Sequence, residues 1–136
     1  MNIAESLPEP LSTFVVDVPA NQYYDFKLAP DSTYPLKGVT YPVDYGNIPG
    51  YTAEDTHELD FFVGNSTDGE AGSIVVDRGA SIGHERKFYV ALTKDELGLI
   101  LQELKPVLIE HQKLADIDSL LVAIQPYKDK VWLILH

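Results

Sequence analysis

The 136-residue chain contains no cysteine. Disulfides, thiolate zinc sites and cysteine nucleophiles are excluded, and any bound metal would be held by oxygen or imidazole. The chain also lacks an apolar run approaching the ~20 residues that cross a bilayer. Met1 to Pro10 has neither the basic start nor the apolar stretch of a secretory signal. These absences predict a cytoplasmic protein with no membrane partner. Basic residues are scarce, with ten Lys and Arg against twenty-one Asp and Glu, a formal charge of -11. That balance would repel a phosphate backbone unless the cations were strongly segregated, which argues against nucleic acid as a partner. A small polyanion can still bind when divalent cations bridge carboxylates to phosphate oxygens. On composition alone, simple solubility is the better account of the charge. The length suits one compact domain spanning 1–136.

What the chain has is a series of short β-rich segments. Thr13 to Val18 is rich in β-formers and ends at Pro19-Ala20-Asn21. Between Tyr34 and Tyr51 lie Pro35, Gly38, Pro42, Gly46, Pro49 and Gly50, a density that no helix tolerates. Leu59 to Gly64, Gly72 to Val76 and Lys87 to Leu92 read as further strands. Thr93 and Glu96 form a capping box, after which Leu97, Ile100, Leu101, Leu104, Leu108 and Ile109 recur at helical spacing. The spacing predicts a helix from Lys94 that Pro106 bends or divides. A second helix is expected over Asp116 to Gln125 and a closing strand over Val131 to Leu135. The fold class is therefore α+β: a small closed antiparallel β-barrel of OB-like size with one or two C-terminal helices packed on it.

Chemistry concentrates between residues 41 and 60. Tyr41-Pro42-Val43-Asp44-Tyr45-Gly46-Asn47-Ile48-Pro49 is soon followed by Asp55-Thr56-His57-Glu58-Leu59-Asp60. If Leu59 begins a strand, Asp60 points to the opposite face, and Asp55 on the preceding loop can curl toward the same space. Two such carboxylates can share a magnesium ion with several waters. A solvated acidic loop accounts for the same residues.

These blocks resemble the central signature of family I soluble inorganic pyrophosphatases, Tyr-Pro-x-Asp-Tyr-Gly-x-Ile-Pro followed by Asp-x-Asp-Pro-x-Asp. Asp55, Leu59 and Asp60 fit the second half and Glu58 is an accepted variant of its proline. Thr56 is atypical, and His57 stands where the family carries the aspartate implicated in activating the attacking water. Val16-Asp17-Val18-Pro19 is similar to the family's first-strand motif, with Asp17 in place of its glutamate. The resemblance implies metal ligands at Asp55, Asp60, Asp77 and Glu85. It implies phosphate contacts at Lys27, Lys37, Lys87, Tyr127 and Lys128, with Tyr45 and His57 as catalytic residues. A register anchored at Gly72-Ser73 would leave Asp77 without a role, and one using His111-Gln112-Lys113 would replace Tyr127-Lys128.

The implied function is hydrolysis of inorganic pyrophosphate to two phosphates by a water activated on Mg2+. Imidazole at position 57 can accept a proton near neutral pH but brings no anionic charge to a metal. The replacement therefore predicts either reduced activity with Mg2+ or a shift toward Mn2+ or Co2+, which accept nitrogen. The alternative is a catalytically impaired pyrophosphatase-like protein that binds metal or phosphate-type anions without turnover. The resemblance also implies a homo-oligomer.

Overall fold

The computed structural model of the chain describes residues 3–54, 57–80 and 82–128. Eight strands occur among them: β1 (Val15–Val18), β2 (Tyr23–Asp25), β3 (Gly38–Thr40), β4 (Asp44–Thr52), β5 (Glu58–Val63), β6 (Glu70–Asp77), β7 (His84–Leu92) and β8 (Leu108–Leu114). Two α-helices follow the first seven and eight strands respectively, α1 (Lys94–Leu104) and α2 (Ile117–Ile124). Strands thus dominate before Lys94, as the glycine and proline punctuation predicts.

The barrel is not formed. Six strands make one open sheet in the order β1-β4-β5-β7-β6-β8, and β2 and β3 form a separate antiparallel ribbon. β1 and β8 are the two edges of the large sheet. All its pairings are antiparallel except β5 with β7, where Phe61, Phe62 and Val63 face Phe88, Tyr89 and Val90 in parallel. The reason lies in the central strands. Phe61-Phe62-Val63, Ile74-Val75-Val76 and Phe88-Tyr89-Val90 are buried on both faces, the pattern of a sheet covered from both sides rather than of strands wrapping one interior.

Alternation along each strand produces two cores. One face carries Tyr45, Phe62, Ile74, Val76 and Tyr89, covered by Leu97, Ile100 and Leu104 of α1. The other carries Ile48, Leu59, Phe61, Phe88 and Val90, covered by Leu120 and Ile124 of α2. The capping box is present: the Thr93 hydroxyl accepts from the Glu96 N–H, and the Glu96 carboxylate accepts from the Thr93 N–H. Asp116 caps α2 through the Ser119 N–H.

Helical periodicity beyond Leu104 misleads. Pro106 has no N–H to continue the helix, and a 3-10 turn over Lys105–Val107 leads into β8, which pairs with β6 and takes Leu108 and Ile109 with it. The expected strand over Val131 to Leu135 lies outside the described residues.

Gly46 explains its place in the Tyr45-Gly46 pair. β1 crosses β4 so closely that a Cβ at Gly46 would lie 1.8 Å from the Val15 carbonyl oxygen. Only glycine leaves room for that backbone contact. Gly46→Ala is therefore expected to lower unfolding free energy by about 2 kcal/mol or more, the scale of overpacking in a core, measured by urea denaturation. A change below roughly 0.5 kcal/mol, the ordinary surface range, would mean that β1 is not held against β4.

Candidate functional site

The site is built by strand periodicity. Glu85, Lys87 and Tyr89 share one face of β7 because they are two residues apart. Asp60 and Phe62 occupy the corresponding face of β5. The parallel register that sets Phe61 opposite Phe88 sets Asp60 beside Lys87, and β4 brings Tyr45 against Phe62. Four polar groups from three strands therefore meet beneath the α1 side of the sheet.

The ammonium of Lys87 is their centre. It donates to the Tyr45 hydroxyl at 2.6 Å, to Asp60 Oδ2 at 3.0 Å and to Glu85 Oε1 at 3.1 Å. An ammonium has three protons, so its donors are matched by three acceptors. Tyr45 in turn donates to Asp60 Oδ2 at 2.7 Å. The second oxygen of Glu85 is held by the Arg78 guanidinium. The Lys87 side chain is 6% exposed and that of Glu85 is 0% exposed, whereas Asp60 retains 23%.

Burial and charge set the protonation states. Burial opposes the charge of Lys87, but Tyr45, Asp60 and Glu85 outweigh it and hold the pKa well above the ordinary lysine value. Burial would also raise Asp60, yet Lys87 and the surrounding hydrogen bonds hold that carboxyl below its usual range. Glu85 goes the other way: burial raises it, and Lys87 and Arg78 only partly offset this with Asp60 as a like-charged neighbour. Burial likewise lifts the Tyr45 hydroxyl well above the ordinary tyrosine value, so it stays protonated and donates.

This cluster opens onto a cleft of about 1030 Å³. Tyr45, Asp60 and Lys87 line it together with His57, Asp77 and Arg78. Asp77 lies at the end of β6, where its Oδ1 accepts from the Gly79 N–H at 2.8 Å. His57 is exposed at the start of the strand that carries Asp60. Arg78, one of two arginines in the chain, escaped sequence reasoning although it adjoins Asp77. A cation next to an acidic residue in a glycine-containing turn was the available signal.

Other expected residues do not join this cleft. Lys27 and Lys37 are exposed and do not line it. The Lys27 N–H is held by Asp25 Oδ1. Tyr127 belongs to the α2 side of the sheet, with its ring 5.7 Å from that of Phe88 and its hydroxyl donating to Glu54 at 3.0 Å. Lys128 follows it and bridges Tyr51 through the backbone. The sheet thus separates Tyr127 and Lys128 from Lys87. Asp55 lies outside the described residues. Among the described residues, no group of three His, Asp or Glu side chains converges closely enough to hold a metal ion, and no helix is long and apolar enough to cross a membrane.

No protein-family model, curated protein or solved structure matches the chain. The functional reading rests on the cleft.

Lys87→Met would leave Asp60 and Glu85 facing one another without their shared cation. Stability near neutral pH is expected to fall by about 3–5 kcal/mol, the scale of breaking a buried ion pair. The folded-state pKa of Lys87 is raised, so the charge contributes fully below the unfolded value of about 10.4 and less as pH rises toward the folded value. Parent stability should therefore decline above about pH 10.4 more steeply than that of the variant. Parallel alkaline profiles from chemical denaturation would show that the ammonium is not the group responsible.

Proposed function

We propose that the chain hydrolyses inorganic pyrophosphate to two phosphates in the Lys87 cleft. The observation that carries this reading is the convergence of Tyr45, Asp60, Lys87 and Asp77 from four strands on one open cavity with His57 at its margin. Asp17, Asp31 and Glu58 also line that cavity, so carboxylates outnumber cations and a phosphoanion would enter most readily with a divalent ion.

The donor chemistry fits such an ion. Magnesium is commonly held by one or two carboxylates with waters and substrate phosphates, not by a closed protein cage. Asp60 and Asp77 supply carboxylates on the cleft. Glu85 does not fit this role, since it is fully buried with one oxygen on Lys87 and the other on Arg78. It braces the two cations instead. When bound, Mg2+, Mn2+ or Co2+ would supply a water acidified enough to attack phosphorus at neutral pH.

The chain's own residues do the rest. Arg78, with its side chain 36% exposed at the cleft, is the cation that a phosphate oxygen can reach, while Lys87 is engaged by Tyr45, Asp60 and Glu85 and holds Asp60 in place. Tyr45 remains a hydroxyl donor, and its bond to Asp60 fixes that carboxylate. The His57 imidazole at the cleft margin is the proton acceptor in this reading. Assembly into a homo-oligomer belongs to the same proposal.

A second reading, phosphoanion or metal binding without turnover, is favoured by one feature. The cations at the floor are already engaged, Lys87 by three acceptors and Arg78 by Glu85. Phosphate release from pyrophosphate with Mg2+, Mn2+ and Co2+ in parallel separates the two. Under the hydrolytic reading all or some of these ions support release, His57→Ala lowers it by about 10²-fold, and His57→Asp raises the Mg2+ rate by about 10²-fold, the low end of general-base effects. If pyrophosphate binds yet neither parent nor His57→Asp releases phosphate with any ion, the non-catalytic reading replaces the first.

A further inference from the structure

We propose that the organic substrate class of this cleft is a nucleoside 5′-diphosphate, bound with its phosphates beside Arg78, whose side chain is 36% exposed there, and its base on Tyr24. The inference rests on the phosphoanion reading of the Lys87 floor and extends it to the wall that this floor leaves unused.

The first observation is size. A cavity of about 1030 Å³ lies at the upper end of sites that enclose drug-sized organic ligands, about 300–1,000 Å³. Two phosphoryl groups would occupy a small part of it. The second is the chemistry of the remaining wall. Tyr24, Phe26 and Tyr34 line the cleft on the ribbon side. The Tyr24 ring lies 6.4 Å from that of Tyr45, Phe26 meets Tyr24 edge-on at 5.3 Å and 82°, and Tyr34 follows Phe26 at 6.5 Å.

This strip is fixed in place. Tyr34 donates its hydroxyl to the Asp77 carbonyl at the floor, and the Phe26 N–H is bonded to the Lys37 carbonyl across the ribbon at 3.0 Å. Tyr24 nevertheless remains 40% exposed. A partly exposed aromatic ring next to Tyr45, whose hydroxyl accepts from the Lys87 ammonium, offers nothing to a bare inorganic anion. It offers a stacking surface to a planar base.

The third observation selects a nucleoside over an aliphatic tail. Asp17 and Asp31 line the same cavity, and carboxylates accept hydrogen bonds from sugar hydroxyls and exocyclic amines. A hydrocarbon chain would desolvate them without compensation.

The reaction is the same phosphoryl transfer to water. The water oxygen forms a bond to the terminal phosphorus, and the bond from that phosphorus to the bridging oxygen breaks. The bridging oxygen departs on the nucleoside monophosphate, and the proton lost from water passes to His57 and then to solvent. No atom changes oxidation state.

The test titrates ADP and pyrophosphate separately into the full chain with Mn2+ present and measures phosphate release from each. ADP is expected to bind about tenfold more tightly than pyrophosphate, within the range of one base stacked on an aromatic ring, and to release phosphate. Tyr24→Leu should abolish that advantage without changing pyrophosphate binding, and Tyr24→Phe, which keeps the ring face, should retain it. ADP binding weaker than that of pyrophosphate, binding indifferent to Tyr24→Leu, or ADP bound without phosphate release would each overturn the proposal. If pyrophosphate is hydrolysed while ADP is refused, this extension alone falls. If neither anion binds, the phosphoanion reading falls with it.

Discussion

The constraint on which the structure turns is the need to neutralise one ammonium inside a sheet. Lys87 sits on β7 between Arg86 and Phe88, and its side chain is 6% exposed. An uncompensated charge there would cost several kcal/mol. Compensation comes from both sides: Tyr45 and Asp60 on β4 and β5, and Glu85 two residues away on β7 itself. Because side chains alternate along a strand, slipping β5 by one residue against β7 would turn Asp60 to the other face and offer Leu59 or Phe61 to the ammonium. The charge cluster therefore fixes the register of the parallel pair as well as furnishing the cleft floor.

Double coverage of the sheet determines where chemistry can occur. α1 closes much of one face through Leu97, Ile100 and Leu104, and α2 closes the other through Leu120 and Ile124. The cleft persists beside α1, at the end where Asp60 and Lys87 emerge and where the β2-β3 ribbon contributes its aromatic side chains. On the opposite side, Tyr127, Arg86 and Ser73 border a smaller hollow of about 310 Å³. Its guanidinium is bound to the Ser73 hydroxyl at 2.6 Å and to Glu110 at 3.4 Å.

What could be read from the sequence was local. Alternation and turn residues revealed β1, β5, β6 and β7 but not β2 or β8, and Thr93 and Glu96 marked the start of α1. What could not be read depended on which layer an element joins. Open sheet and barrel share the same strand lengths and turns, and the continuous apolar runs at Phe61 and Phe88 were the sole local sign of coverage on both faces. Tyr127 and Lys128 lie beyond a helix whose choice of face no short-range pattern records. Lys27 and Lys37 have the right chemistry, but their exposure on the ribbon depends on tertiary placement. Tyr24 carries no local sign of its place beside Tyr45, which the ribbon alone determines.

The parallel seam between β5 and β7 also orders the events of folding. β4 with β5 and β6 with β7 are antiparallel neighbours in sequence, so each pair closes a short loop at modest entropic cost. The seam joins one pair to the other and has no local turn of its own. It forms after its two halves exist, as non-local strand pairings do when chain entropy sets the rate. Asp60 and Tyr45 come from the first half, and Glu85, Lys87 and Arg78 from the second. The cleft floor is consequently a late product of folding, complete only when the two hairpins have become one sheet.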